Sequence, residues 1–164
     1  MTNFHVAGSS HMTNFCGPDS NFDGHCTAIV DSGTTFLAIA MGQFHRVMQM
    51  VLAGKDCTFK PSMQQYSCQG GDSDIDSFPT LRFAFAPHAK FDVKPREYVQ
   101  DMRKFGQGLV PRLRNHATRN GLEFWVFGDF FLRKYYTVFD HGFLRLGFSC
   151  AKGQEQACAG SADW

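Results

Sequence analysis

A mainly β domain is the fold that this sequence predicts. Several short apolar runs alternate with a period of two, the spacing that buries one face of a strand. Eighteen of the 164 residues are Phe, a residue favoured on half-buried sheet surfaces. One segment alone carries clear helical spacing. Apolar residues make up 43% of the chain and charged residues 19%, a globular composition with enough length for one domain and a true core. No internal repeat, low-complexity tract or domain boundary interrupts residues 1–164.

The elements follow in order. Phe4-His-Val-Ala-Gly-Ser-Ser10 reads as a short strand and turn. Thr27-Ala-Ile-Val30 is an apolar run that ends at Asp31-Ser-Gly33, a buried strand entering a sharp turn. Phe44, Val47, Met48, Val51 and Leu52 stand at i, i+3, i+4, i+7 and i+8, which is one face of a helix, and Gly54 is placed to stop it. Met48 and Met50 read as core filler. Beyond the Gly/Asp/Ser-rich stretch at residues 70–77, Leu81, Phe83 and Phe85 alternate with Arg82 and Ala84. Phe91 and Val93 do the same until Pro95 ends the run. Phe124-Trp-Val-Phe127 is a strand closed by Gly128-Asp129. Tyr135-Tyr-Thr-Val-Phe139 and Phe143-Leu-Arg-Leu-Gly-Phe148 flank Asp140-His-Gly142 and read as a hairpin.

The six Cys fall as Cys16/Cys26, Cys57/Cys68 and Cys150/Cys158, none in the C-x-x-C spacing of zinc or redox sites. Six Cys allow 15 pairings, and spacing does not choose among them. Three local bridges are the simplest arrangement and imply an oxidising compartment; six reduced thiols are the alternative. The opening Met1-Thr-Asn-Phe-His lacks the basic end and apolar stretch of a signal peptide, so a disulfide-bearing chain implies a segment removed upstream. No apolar run is long enough to span a bilayer as a helix. A net charge of +1 gives no footprint for nucleic acid or a membrane surface.

The chemistry concentrates in Asp31-Ser32-Gly33-Thr34-Thr35. An Asp at a turn behind a buried strand presents its carboxylate without being swallowed by the core. Gly33 lets a second backbone pass close by, and the hydroxyls of Ser32 and Thr34 can bond the carboxylate or nearby backbone. Asp-Ser-Gly by itself is common in ordinary turns, so its weight comes from context.

Ala28-Ile-Val-Asp-Ser-Gly-Thr-Thr35 resembles the active-site signature of the pepsin family of aspartic proteases. Trp125-Val-Phe-Gly-Asp129 resembles that family's second element, whose strand threads beside the catalytic loop. Phe130-Phe-Leu-Arg-Lys-Tyr-Tyr-Thr-Val-Phe-Asp140 through Leu144-Arg-Leu-Gly-Phe148 is similar to its closing segment, and Phe78-Pro-Thr-Leu-Arg-Phe83 to the strand before it. Cys57 and Cys68 fall where the family often has a disulfide loop. The resemblance covers residues 4–150, leaves 151–164 as a tail, and marks the chain as similar to a carboxyl-terminal lobe.

That resemblance implies a bent double-sheet β lobe with one or two short helices. It implies one catalytic Asp per lobe, with one carboxyl ionised and the other protonated, because two adjacent like charges cannot both ionise; this family is the standard example. Asp31 would be this lobe's catalytic residue. Ser32, Gly33 and Gly128 would support the loop, Thr34 would brace the pair across the lobe interface, and Thr35 with Ile29 would lie near substrate. The substrate would be an extended polypeptide, the partner a complementary amino-terminal lobe, and the setting secretory, vacuolar/lysosomal or extracellular. No metal or organic cofactor is implied, because water is the nucleophile and carboxyls are the acid and base.

The sequence departs from the pattern in two places. Only one D-[ST]-G-[ST] occurs, so the chain reads as part of an enzyme; a non-catalytic structural or binding lobe and a homodimer with two copies of Asp31 are the alternatives. Residues 103–119 carry Arg103, Lys104, Arg112, Arg114 and Arg119 without Asp, Glu or Cys, and read as a basic surface loop or partner contact. His5, His11, His25, His45, His88, His116 and His141 show no metal-ligand spacing. No G-x-S-x-G or glycine-rich phosphate loop is present.

Overall fold

Short strands paired into four sheets hold the chain together, and three of those sheets are antiparallel throughout. The computed structural model describes residues 1, 3–7, 26–86, 89–116, 124–153 and 158, and counts here refer to those residues. One three-stranded sheet joins β1 (Asn3–Val6), β6 (Leu81–Ala86) and β7 (Ala89–Val93) in the order β1-β6-β7. A second sheet runs β4 (Cys57–Lys60), β5 (Gln65–Cys68), β9 (Leu109–Pro111), β8 (Val99–Asp101). β12 (Tyr135–Asp140) and β13 (Arg145–Cys150) form a hairpin.

The fourth sheet matters most for function. Its order is β10 (Leu113–His116), β3 (Leu37–Ala40), β11 (Phe124–Phe127), β2 (Thr27–Val30). β11 runs parallel to β2 and antiparallel to β3, and β3 runs parallel to β10. One row of register crosses the whole sheet, Val30↔Phe127, Phe127↔Leu37 and Leu37↔Leu113. The exits of β2 and β11 and the entrance of β3 therefore share one end of the sheet, and the motif loop sits there.

The helix α1 (Met41–Val51) follows β3 without a loop and buries Phe44, Val47, Met48 and Val51, the stripe its spacing predicts. Gly54, at φ +71, turns the chain away in a backbone conformation that glycine adopts without penalty. Three further helices, α2 (Asp72–Ile75), α3 (Pro95–Tyr98) and α4 (Asp129–Leu132), are single turns of four residues each. That is more helices than the one or two expected. Each is too short to show a periodic face, and Pro95 starts α3 at the position where its missing N–H costs nothing.

The Phe content is explained by the core. Phe83, Phe85, Phe91, Phe127, Phe131, Tyr135 and Phe148 make successive ring contacts with centroids 4.8–6.1 Å apart, and most are edge-on, the favoured geometry for aromatic pairs. Trp125 is fully buried against Phe4, and its indole N–H donates to Gln43 Oε1 at 2.6 Å. Beneath this cluster Lys134 is only 3% exposed. Its ammonium donates to the Asp92 carbonyl at 2.7 Å and to Glu97 Oε2 at 3.1 Å, so the buried charge is paired and hydrogen-bonded as it must be.

Two expectations are corrected. Residues 103–116 are not simply a basic loop, since Arg103–Phe105 forms a 3-10 turn and β9 and β10 follow, whereas Arg119 lies outside the described residues. Leu109, Val110 and Leu113 are buried, and this apolar demand outweighs the charge of the residues between them. The hairpin turn is also displaced. Asp140 pairs with Arg145 in register and through an ion pair of 2.9 Å, so residues 141–144 make the turn. Phe143 and Leu144 then stand out 75% and 90% exposed, instead of opening the second strand.

Cys57 and Cys68 sit opposite each other in the β4–β5 hairpin and form a disulfide; Cys150 and Cys158 form another. Cys16, and with it the expected Cys16–Cys26 bridge, lies outside the described residues, as does most of the tail. Two bridges fit an oxidising compartment. Closing a loop with a separation of 11 residues contributes about 2–3 kcal/mol by restricting the unfolded chain. The Cys57→Ser/Cys68→Ser double variant should lose that amount in urea unfolding, whereas an unchanged midpoint would assign the hairpin's stability to its strand pairing.

Candidate active site

The strand β2 delivers Asp31 to the end of the sheet, where its own N–H donates to the Phe127 carbonyl at 3.0 Å. The backbone then turns back on itself. Thr34 N–H donates to the Asp31 carbonyl at 3.3 Å, and the chain enters β3 at Leu37, whose N–H reaches the Arg112 carbonyl at 3.0 Å. Asp31 is thus fixed between two strands and does not depend on a free loop for its position.

Each carboxylate oxygen has its own donor. Gly33 N–H donates to Oδ1 at 2.9 Å and Thr34 Oγ1 to Oδ2 at 2.7 Å. Hydrogen bonds to the charged form favour that form, and these two, the Thr34 hydroxyl first, hold the Asp31 carboxyl below its ordinary value of 3.8. The family resemblance implies that Thr34 braces a pair of lobes; within this chain its hydroxyl donates to Asp31. Ser32, Gly33 and Thr35 are exposed and Asp31 itself is partly so. β2 is not the buried strand expected from its apolar run: it lies at the edge of the sheet with all four residues exposed or half-buried, and Ile29, two residues upstream of Asp31, is 42% exposed.

Gly128 closes the other side. At the end of β11 it passes so near the motif loop that a Cβ there would lie 2.0 Å from the Thr34 carbonyl oxygen and 2.7 Å from that of Phe36. The next residue uses this closeness, because Asp129 N–H donates to the Thr34 carbonyl at 2.7 Å. Asp31, Gly33, Thr34 and Gly128 are therefore brought together, with Thr35 on the open side.

A linked prediction concerns titration. The Thr34→Val variant removes the larger of the two causes, so the Asp31 midpoint should rise toward 3.8, read from the carboxyl carbon shift by NMR. A group whose folded pKa is depressed contributes stability that is present above its unfolded pKa and is lost as pH falls through the folded one. Acid unfolding of Thr34→Val should accordingly be less steep below the ordinary carboxylate range. An unmoved midpoint would remove Thr34 as the cause.

Sequence reading missed a pocket beside this loop. A cavity of about 150 Å³ is lined by Thr35 and Phe36, by Gln65, Gln100, Met102 and Gln107, and by residues 110–112 and Arg114. The alternation Arg112-Leu113-Arg114 after Leu109-Val110 was the available signal for the strand that builds one wall.

The motif loop links β2 to β3, with Gly128 of the neighbouring strand passing beside it, and sequence comparison gives the chain a family. The profile of the family described as "Eukaryotic aspartyl protease" matches residues 7–151. The chain belongs to that family. Among relatives, gastricsin of Suncus murinus is 32% identical over 127 residues, covering 77% of this chain and 30% of its own length. Cathepsin D of Dictyostelium discoideum is 30% identical over 159 residues, covering 92% and 35%. Pepsin A of Gallus gallus is 30% identical over 125 residues, covering 76% and 30%. The chain thus spans about a third of the length of these aspartic protease relatives.

Proposed function

We propose that this chain is the carboxyl-terminal lobe of a two-lobed aspartic endopeptidase, in which Asp31 is one of two catalytic aspartates. One observation carries the reading: Asp31 is presented at an open sheet end with both oxygens held by donors that stabilise its ionised form. An ionised carboxylate can take a proton from a water whose oxygen attacks a peptide carbonyl. It cannot at the same moment protonate the leaving nitrogen. That proton must come from a second, protonated carboxyl, and among the described residues no other carboxylate hydrogen-bonds to the Asp31 loop. The acid belongs to a complementary amino-terminal lobe, and the substrate is an extended polypeptide lying along the exposed side of Thr35 and Ile29. Ser32, Gly33, Thr34 and Gly128 keep the carboxylate in place.

The surface supports a partner of this kind. Ile29 is exposed beside the motif, and Tyr136, Val138, Phe139, Phe143, Leu144 and Leu146 are exposed along the terminal hairpin, apolar side chains that a partner can cover. The disulfides support a secretory, vacuolar/lysosomal or extracellular setting. The purified chain should fail to cleave denatured protein at acid pH and should gain activity when its complementary lobe is supplied. Activity of the chain alone would indicate a homodimer joining two Asp31 residues. Inactivity in every reconstituted complex would indicate a structural or binding lobe.

A further inference from the structure

We propose that the pocket beside Thr35 receives an acidic side chain, Asp or Glu, of the bound polypeptide, with Arg112 and Arg114 as its charged walls. This rests on the reading above that the lobe holds an extended peptide next to Asp31. Thr35 lies in the loop that carries Asp31 and also lines the cavity, so a peptide passing Asp31 passes the pocket mouth. The volume of about 150 Å³ equals several waters at about 30 Å³ each, which is room for a carboxylate side chain.

Charge selects the occupant. Arg112 and Arg114 flank the buried Leu113 and share one face, because side chains alternate along a strand. Both are half-buried, where a charge-assisted hydrogen bond gains strength. No Asp or Glu lines the cavity among the described residues. Five other guanidinium groups among the described residues are matched: Arg82, Arg96, Arg103, Arg133 and Arg145 each pair with an Asp. Arg112 and Arg114 make no ion pair among the described residues.

The Arg114 wall is also prearranged. The Arg114 guanidinium lies over the Phe36 ring, 4.8 Å from its centroid, and donates to Gln65 Oε1 at 3.3 Å. Gln65, 8% exposed, donates in turn to Gln107 Oε1 at 3.1 Å. A planar fork fixed from below and behind keeps its remaining donors for a ligand, and a carboxylate is the group that matches a guanidinium with two hydrogen bonds.

The test uses the 164-residue chain and two pentapeptides, Ala-Ala-Glu-Ala-Ala and its Gln counterpart, followed by NMR of the arginine Nε–H groups at pH 6. The Glu peptide should shift Arg112 and Arg114 and bind about tenfold more tightly than the Gln peptide, the scale of one matched charge pair, about 1.4 kcal/mol. Arg112→Gln and Arg114→Gln should each erase that preference. Arg112→Gln is the safer variant, since its guanidinium supports no described contact in the fold. Equal binding of the two peptides, shifts confined to the exposed Arg103, or no shift at all would overturn the proposal. Asp31→Asn separates it from the protease reading: capture of the Glu peptide should survive that substitution, and capture by an unaltered lobe that stays inactive with every complementary lobe would sink the enzyme and leave the pocket.

Discussion

Asp31→Asn is expected to lower acid-pH proteolysis by the paired lobes by about 10³–10⁴-fold, with little change in the stability of this chain. General acid–base catalysis contributes on the order of 10²–10⁴-fold, and an amide cannot take a proton from water. The loop should survive, because Asn offers a carbonyl oxygen to one of the two donors. Gly33 N–H and Thr34 Oγ1 now hold separate oxygens, and the hydroxyl of Thr34 can rotate to accept from the amide nitrogen. A fall in kcat with an unmoved urea midpoint is the expected signature. Activity that persists in Asp31→Asn would remove Asp31 from the chemistry, and a collapse of the midpoint would make its role structural.

The parts of the fold that could be read from sequence were those in which one face meets the core and the other meets water. Leu81, Phe83 and Phe85 declare β6 by alternation, and the stripe Phe44, Val47, Met48, Val51 declares α1. The strand β3 was missed for the opposite reason. All four of its residues are buried, so Leu-Ala-Ile-Ala carries no alternation to detect. β9 and β10 were obscured by arginines, although Leu109 and Leu113 are fully buried. At the terminal hairpin, Asp140-His-Gly142 pointed to the turn correctly but not to its length, which the Asp140–Arg145 ion pair sets. The guanidinium of Arg145 also covers the Phe143 ring at 4.8 Å, which explains how an aromatic side chain stays at a turn.

The candidate site divides in the same way. The Asp31 loop and Gly128 were legible through their resemblance to the aspartic protease motifs, since Asp-Ser-Gly alone is common in ordinary turns. What lies between chain segments was not. That Thr34 gives its hydroxyl to Asp31 was one of the options open within a single turn, whereas that Gln65 of β5 backs Arg114 of β10 beside Thr35 depends on tertiary neighbours 49 positions apart. The first is a choice among several partners open to a hydroxyl, and the second joins strands of different sheets.

Gly128→Ala should cost about 3 kcal/mol or more in urea unfolding, and it should do so through the motif loop. The strain does not come from glycine's backbone freedom, since φ at Gly128 is −93, a value open to any residue. It comes from contact. A methyl group 2.0 Å from the Thr34 carbonyl oxygen and 2.7 Å from the Phe36 carbonyl oxygen meets backbone on two sides, and neither can rotate away as a side chain would. Overpacking of this kind costs about 1–3 kcal/mol where side chains can yield, and more where they cannot. Retreat of the loop would also break the 2.7 Å bond from Asp129 N–H to the Thr34 carbonyl, leaving the first turn of α4 without it. Gly54→Ala is the control: its added Cβ meets nothing within 4 Å, and only its φ of +71 penalises the change, at about 1–2 kcal/mol. If Gly128→Ala costs no more than Gly54→Ala, the close passage of β11 is not what holds the Asp31 loop. If it costs more, and the carboxyl shift of Asp31 moves with it, the threading of Gly128 past Thr34 is what sets the position of the carboxylate.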